Sequence, residues 1–116
     1  MMPERDNLIV QLTFDFALCI IQFTQQLEDK RRFVIANQLL KSGTAIGANV
    51  REAQSAESRA DFTHKCKVAA KEAEETEYWL LLCHHSVGYG DTNELRAKLL
   101  SIRKVLSKII SSSRAV

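Results

Sequence analysis

A chain of 116 residues and 13.1 kDa, 46% apolar and 26% charged, has the size of one domain and can bury one core without staples. Its single proline, Pro3, and four glycines provide too little punctuation for an all-β domain, and no glycine-rich loop suited to phosphate is present. The formal charge of +2 is too small to argue for nucleic acid by itself. It is also a cancellation. Residues 1–90 carry ten basic and twelve acidic side chains, net −2, whereas residues 91–116 carry six basic and two acidic, net +4.

Taken in chain order, four helical segments emerge from the spacing of apolar residues. The first spans about 5–28, with Pro3 at its approach and the stripe Ile9, Leu12, Phe16, Cys19, Phe23 and Leu27. Its longest unbroken apolar run is six residues, Phe16 to Ile21, far short of the roughly twenty that span a bilayer, so the segment reads as a buried helix. The charged run Glu28 to Arg32 forms the first turn. The second helix spans about 33–55, with the stripe Ala36, Leu39, Gly43, Ile46, Val50 and Ala53. Each glycine inside a helix costs about 1 kcal/mol relative to alanine. Gly43 and Gly47, set among Ser42, Thr44, Ala45 and Ala48, therefore imply close helix contact or a break near Gly43.

The third helix is the longest, about 59–87, with Ser58 as cap and Asp61 at the capping-box position. Its stripe runs Phe62, Cys66, Ala69, Ala73, Thr76, Leu80, Cys83 and Val87, and Gly88 and Gly90 end it. The fourth spans about 93–111, with Asp91 or Thr92 as cap and the stripe Leu95, Leu99, Ile102, Leu106 and Ile109; the tail from Ser111 to Val116 frays. Four helices with short connections give an all-α, up-and-down four-helix bundle, a single domain over residues 1–116. Leu8, Phe14, Trp79, Leu82, Leu100 and Ile110 lie off the seams. One bundle cannot hide them all, so a homo-oligomer is expected, with Trp79, Leu82, Leu100 and Ile110 as its candidate interface. Three cysteines at long spacings, Cys19, Cys66 and Cys83, suit reduced thiols in a cytoplasmic protein.

One segment carries a more specific signal. Ser42-Gly43-Thr44, Ile46-Gly47-Ala48-Asn49 and Arg51-Glu52-Ala53-Gln54 form one ordered string of small and polar residues. Asp61-Phe62, Lys65, Lys71-Glu72-Ala73, Glu75-Thr76 and Tyr78-Trp79-Leu80 form the next. Together they resemble the four-helix-bundle proteins encoded in intervening sequences of bacterial large-subunit ribosomal RNA genes. A looser branch of that family, the accessory variability proteins of diversity-generating retroelements, has Gly where this chain has Ala53 and a small polar residue in place of Glu72. The chain resembles the ribosomal branch more closely. The resemblance implies a pentameric barrel of bundles and no known enzymatic activity; the retroelement branch implies binding to a reverse transcriptase and nucleic acid.

Asn49 and Glu52 share a face of the second helix, as do Glu72 and Glu75 on the third. The family pattern includes polar residues at Asn49, Glu52 and Glu75, so the four form a candidate polar network. It serves structure by bonding backbone near Gly43 or pairing with Arg51 or a lysine, or else it binds a partner or, least favoured, serves catalysis. A di-iron site needs Glu-x-x-His on two helices, and only Asp61-x-x-His64 has that spacing, so no metal and no cofactor are expected. His84 and His85 read as residues at a helix C-terminus. Arg59 and His64 match the R-x4-H spacing of helical ribonucleases of toxin systems, but Ala60 stands where those carry a polar residue. On one helix the two side chains point about 140° apart, so a site would need two copies.

The favoured reading is a non-enzymatic assembly protein, self-associating, with RNA, DNA or a nucleic-acid-processing protein as partner. Arg96, Arg103, Lys104 and Lys108 are the candidate nucleic-acid contacts. No membrane and no small-molecule substrate are implied. The alternatives are a ribonuclease using Arg59 and His64, or a purely structural oligomer.

Overall fold

The computed structural model describes residues 4–114 of the chain, with side-chain surroundings from residue 8 to residue 113. Pro3 and the last two tail residues, Ala115 and Val116, lie outside the described residues. Four helices and no strand form among the described residues: α1 (Glu4–Asp29), α2 (Phe33–Ala53), α3 (Arg59–His84) and α4 (Asn93–Arg114). Each packs on its chain neighbours, and α4 packs back on α1, while the backbones of the diagonal pairs α1–α3 and α2–α4 do not approach closely. With turns this short the helices alternate in direction, giving an up-and-down bundle 47 Å long and about 20 Å across.

The ends follow from local chemistry. α1 stops in a Schellman turn: Arg31 N–H donates to Glu28 O and Arg32 N–H to Leu27 O, both at 2.8 Å. Arg31 takes the left-handed conformation, φ 64°, where glycine is usual. At α3, the Asp61 N–H donates to the Ser58 hydroxyl at 3.0 Å, and the Asp61 carboxylate accepts from the Glu57 N–H at 3.2 Å. At α4 the Asp91 carboxylate accepts from the Asn93 N–H at 2.9 Å, while Thr92 supplies only its backbone carbonyl, to Arg96. Gly90, at φ +91°, lies where a Cβ would come within 3.2 Å of Phe23. The α1–α2 and α3–α4 turns meet at one end, where the Arg32 guanidinium sits 4.6 Å from the Tyr89 ring centroid.

The core seams of α2 and α4 are the expected ones. α1 differs. Thr13 and Ile20 are buried, while Leu12 and Cys19 are only half-buried. Thr13 is accepted inside because its hydroxyl donates to Ile9 O at 2.8 Å, and this rotation of α1 brings Thr13 against Gly47 and Ile20 against Gly43. α2 is one continuous helix through Gly43, so the small residues serve close packing and not a break. α2 ends at Ala53, earlier than 55, and α4 continues to Arg114, past 111. α3 ends at His84, and Val87, expected on its seam, is 96% exposed in the turn. Phe62 is half-buried, with Thr63 buried beside it.

By length and composition the stretch Leu8–Asp29 of α1 is apolar enough to cross a membrane, with mean hydropathy 1.5. Ile9, Phe16, Ile20, Phe23 and Leu27 from that stretch are nevertheless part of the bundle core.

Cys66 and Cys83 are buried and Cys19 is half-buried beside α4. Burial pushes the Cys83 thiol above the ordinary thiol range, so its reactive thiolate is suppressed in the fold. Iodoacetamide at pH 8 is therefore expected to label Cys19 first, read by peptide mass spectrometry, with Cys83 labelled only on unfolding. Equal labelling of the two would contradict the packing of α3. Because the folded thiol holds its proton more tightly than the unfolded one, this burial favours the fold below the unfolded thiol pKa. That contribution is lost as pH rises above it.

Candidate functional site

The polar candidates of α2 and α3 lie along the seam between these helices and do not form one network. The Asn49 side-chain amide donates back to Ala45 O at 2.9 Å, within its own helix. Glu52 pairs with Lys65 at 3.1 Å across to α3. The Glu75 carboxylate accepts from the Trp79 indole at 3.1 Å, and Glu72, half-buried, has no side-chain partner among the described residues. What joins α2 to α3 inside is a pair the sequence does not single out. The Thr76 and Ser42 hydroxyls hydrogen-bond each other at 2.9 Å, and Thr76 Oγ1 also lies 2.7 Å from Glu72 O. A hydroxyl carries one proton, so Thr76 donates to one of these neighbours and accepts from Ser42 when it donates to Glu72.

The basic candidates of α4 divide into two groups. Arg103 and Arg96 turn toward the α3 side. The Arg103 guanidinium donates to Glu77 at 2.7 Å and Arg96 donates to Asn93 at 3.2 Å, so the Arg103 charge is already met. Lys104 and Lys108 stand one turn apart, exposed, with no ion-pair partner among the described residues. Lys98 lies 3.9 Å from Glu94. An open groove of about 300 Å³ runs between α3 and α4 beside Lys71, Glu74, Arg103, Ser107 and Ile110. A second, of about 210 Å³, runs between α1 and α4 beside Cys19, Gln22, Asp91 and Glu94. Each mixes charges of both signs.

Arg59 and His64 are both exposed near the start of α3, on different sides of the helix. Among the described residues no three His, Cys, Asp or Glu side chains gather as metal ligands do. The apolar candidates are not one patch either. Trp79 and Ile110 are half-buried, and Leu82 and Leu100 are exposed. Helical phase turns Trp79 toward α2 and Leu100 and Ile110 toward α3. Other apolar residues are left outside: Leu8, Phe14, Leu18 and Ile21 on α1, Phe33 and Val34 on α2, and Tyr78 and Leu81 on α3. Leu8 and Phe14 lie off the seam as read, whereas Leu18 and Ile21 escape a sequence reading because they belong to the unbroken apolar run Phe16 to Ile21, which looks internal.

A ring of four antiparallel helices, free of a metal-ligand cluster among the described residues, defines an all-α four-helix bundle protein. The chain belongs to the 23S rRNA-intervening sequence protein family, whose profile it matches over residues 5–111. It is similar to a solved structure from Bacteroides thetaiotaomicron, a protein of unknown function from the S23 ribosomal protein family. The TM-score is 0.85 at 40% identity, covering 92% of this chain and 98% of that one. No curated protein matches the chain.

Proposed function

We infer that the chain is a non-enzymatic assembly protein of the cytoplasm. In this reading its bundles self-associate and present α4 lysines to RNA, DNA or a protein that handles nucleic acid. The observation that carries the reading is the row of large apolar side chains left half-exposed along the bundle, above all on α1. Lys104 and Lys108, exposed and unpaired among the described residues, support a phosphate contact, as Arg103, engaged by Glu77, does not. The pentameric count rests on the family resemblance alone. A ribonuclease using Arg59 and His64 is the weaker reading, because Ala60 stands where such ribonucleases carry a polar residue and the two diverging side chains would have to come from two copies.

Light scattering at tens of micromolar, with and without an RNA fragment, tests this. The expected mass is a multiple of 13.1 kDa, and RNA binding should weaken with salt. Lys104→Ala with Lys108→Ala should lower the salt slope by about 2, one for each phosphate contact removed. A monomer overturns the assembly reading. Failure to bind nucleic acid at any salt concentration leaves a purely structural oligomer. If the protein cleaves RNA and Arg59→Ala with His64→Ala abolishes the cleavage, the ribonuclease reading replaces this one.

A further inference from the structure

On α3, Lys67, Lys71, Glu74 and Tyr78 follow one another at steps of four, three and four, and all are exposed. They therefore share one outer face of the helix over about 16 Å. Neither lysine has an ion-pair partner among the described residues. Lys71 and Glu74 also form one wall of the open groove of about 300 Å³ between α3 and α4. The other wall is α4, where Ser107 and Ser111, exposed and one turn apart, offer hydroxyls beside half-buried Ile110. The Arg103–Glu77 pair spans the seam at 2.7 Å and sets the register of the two helices. Lys104 and Lys108 each come one residue after a lining residue, Arg103 and Ser107, and so stand on the outward flank of α4 beside the groove. Tyr78 is 57% exposed. Its ring meets the Trp79 ring edge-on, centroids 5.1 Å apart, and the Trp79 indole is itself tied to the Glu75 carboxylate. The tyrosine ring is thus braced by its own helix while it remains open to solvent.

We propose that the α3–α4 groove is a binding site for a single nucleic-acid strand: Lys67 and Lys71 hold its phosphates from the α3 rim, and an unpaired base stacks on Tyr78. The proposal rests on the nucleic-acid reading above and names its site, adding the α3 residues to the α4 lysines. Three observations select this occupant. First, four lysines on the two rims, Lys67, Lys71, Lys104 and Lys108, meet one carboxylate without an ion-pair partner, Glu74, because Glu77 is taken by Arg103. The groove is therefore net positive, and its paired lysines repeat at one turn, which suits a polymer of regularly spaced charges. Second, Ser107 and Ser111 present hydroxyls on the opposite wall, and hydroxyls are among the ordinary donors to phosphate oxygens. Third, an exposed aromatic ring continues the lysine stripe, and stacking on such a ring accepts any unpaired base. An acidic peptide would engage the lysines alone, and a duplex keeps its bases stacked inside and leaves the ring unused. The other charged regions lack this combination. The α1–α4 groove sets Asp91 and Glu94 beside Lys98, and in the α1–α2 turn Glu28 and Asp29 adjoin Lys30 to Arg32.

The test is fluorescence anisotropy of a labelled oligouridylate of about twelve nucleotides, titrated with the full chain at several salt concentrations. Lys67→Ala with Lys71→Ala is expected to lower the salt slope by about 1 to 2, for two phosphate contacts removed. Tyr78→Ala is expected to weaken binding about tenfold at every salt concentration with the slope kept, and Tyr78→Phe to bind as the wild type does. Glu74→Gln, which removes the one carboxylate facing the strand, is expected to tighten binding severalfold at low salt. All of these positions are exposed, so the helical circular dichroism spectrum should not change. If Tyr78→Ala loses it, Tyr78→Leu replaces that variant with the same expected outcome. Wild-type binding by the α3 lysine variant, alongside a loss with Lys104→Ala and Lys108→Ala, overturns the groove and leaves the nucleic-acid reading standing. If Tyr78→Ala binds as the wild type and duplex RNA competes equally, the single-strand assignment falls. Equal competition by oligoglutamate assigns the groove to an acidic protein instead. A wild type that does not bind the oligonucleotide even at low salt overturns both readings.

Discussion

Phe16→Ala is expected to lower the free energy of unfolding by about 3–5 kcal/mol, read as a shift of the urea midpoint at constant slope. Phe16 is buried in the middle of α1, and two other helices bring small residues to the interior: Ser42 and Gly43 on α2, Ala69 and Ala73 on α3. The large seam of α1, Ile9, Phe16, Ile20, Phe23 and Leu27, shares one core with the seams of the other three helices, and Gly43 lets α2 close on Ile20. Removing a ring from a close-packed interior leaves a void that the neighbours fill only in part. With total stabilities of about 5–15 kcal/mol for domains of this kind, the loss is a large share. A loss below about 1 kcal/mol would mean that the neighbours collapse into the space, and would contradict this account of the packing.

Gly43→Leu is expected to cost more than about 3 kcal/mol. A Cβ at Gly43 would lie 2.9 Å from both Cγ1 and Cγ2 of Ile20, and leucine adds three more carbons where the first does not fit. Ile20 is fully buried and β-branched, so it has no free rotamer into which to retreat. Even Gly43→Ala, which gains about 1 kcal/mol of helix propensity, is expected to lose stability overall. In a double-mutant cycle with Ile20→Ala the clash disappears. The coupling should then exceed about 1 kcal/mol in the favourable sense, measured by chemical denaturation. Strict additivity of the two would show that Ile20 is not what Gly43 makes room for. Gly47→Ala is a smaller perturbation, since its nearest contact is Thr13 O at 3.3 Å.

Where a helix has one apolar face, the sequence suffices to find it. The seams Ala36 to Ala53 and Leu95 to Ile109 fall at spacings of three and four with polar residues between them, and both are buried as read. α1 defeats the same method because its apolar residues cover more than one face. Two stripes fit equally well, and the one containing Leu12 and Cys19 looks better than the one containing Thr13. A threonine is admitted to the core only through its bond to Ile9 O, which spacing does not reveal. Val87 continues the numerical pattern of α3, but His85 already leaves the helical conformation and Gly88 turns the chain at φ +83°. The string from Ser42 to Ala48 announces close packing, while Thr13 and Ile20, which it packs against, lie far away in the chain.

The surfaces were legible only as positions. Asn49, Glu52, Glu72 and Glu75 fall on the α2–α3 seam as their spacing implies, but their bonds go to Ala45 O, to Lys65 and to Trp79, not to one another. Arg103 and Lys104 are adjacent in sequence and look alike as candidate contacts. One helix step separates them by about 100°, enough to give the first to Glu77 and leave the second exposed.

The strict ring order of the helices has an electrical consequence. Each helix carries about half a positive charge at its N-terminus and half a negative charge at its C-terminus. Since every helix lies beside antiparallel neighbours, both ends of the bundle place two N-termini beside two C-termini. The backbone dipoles then cancel along the long axis, and no helix end dominates the field around the molecule. Whatever long-range attraction this protein exerts on a charged partner must come from its side chains, and it should fade with salt over a Debye length of about 10 Å at 0.1 M.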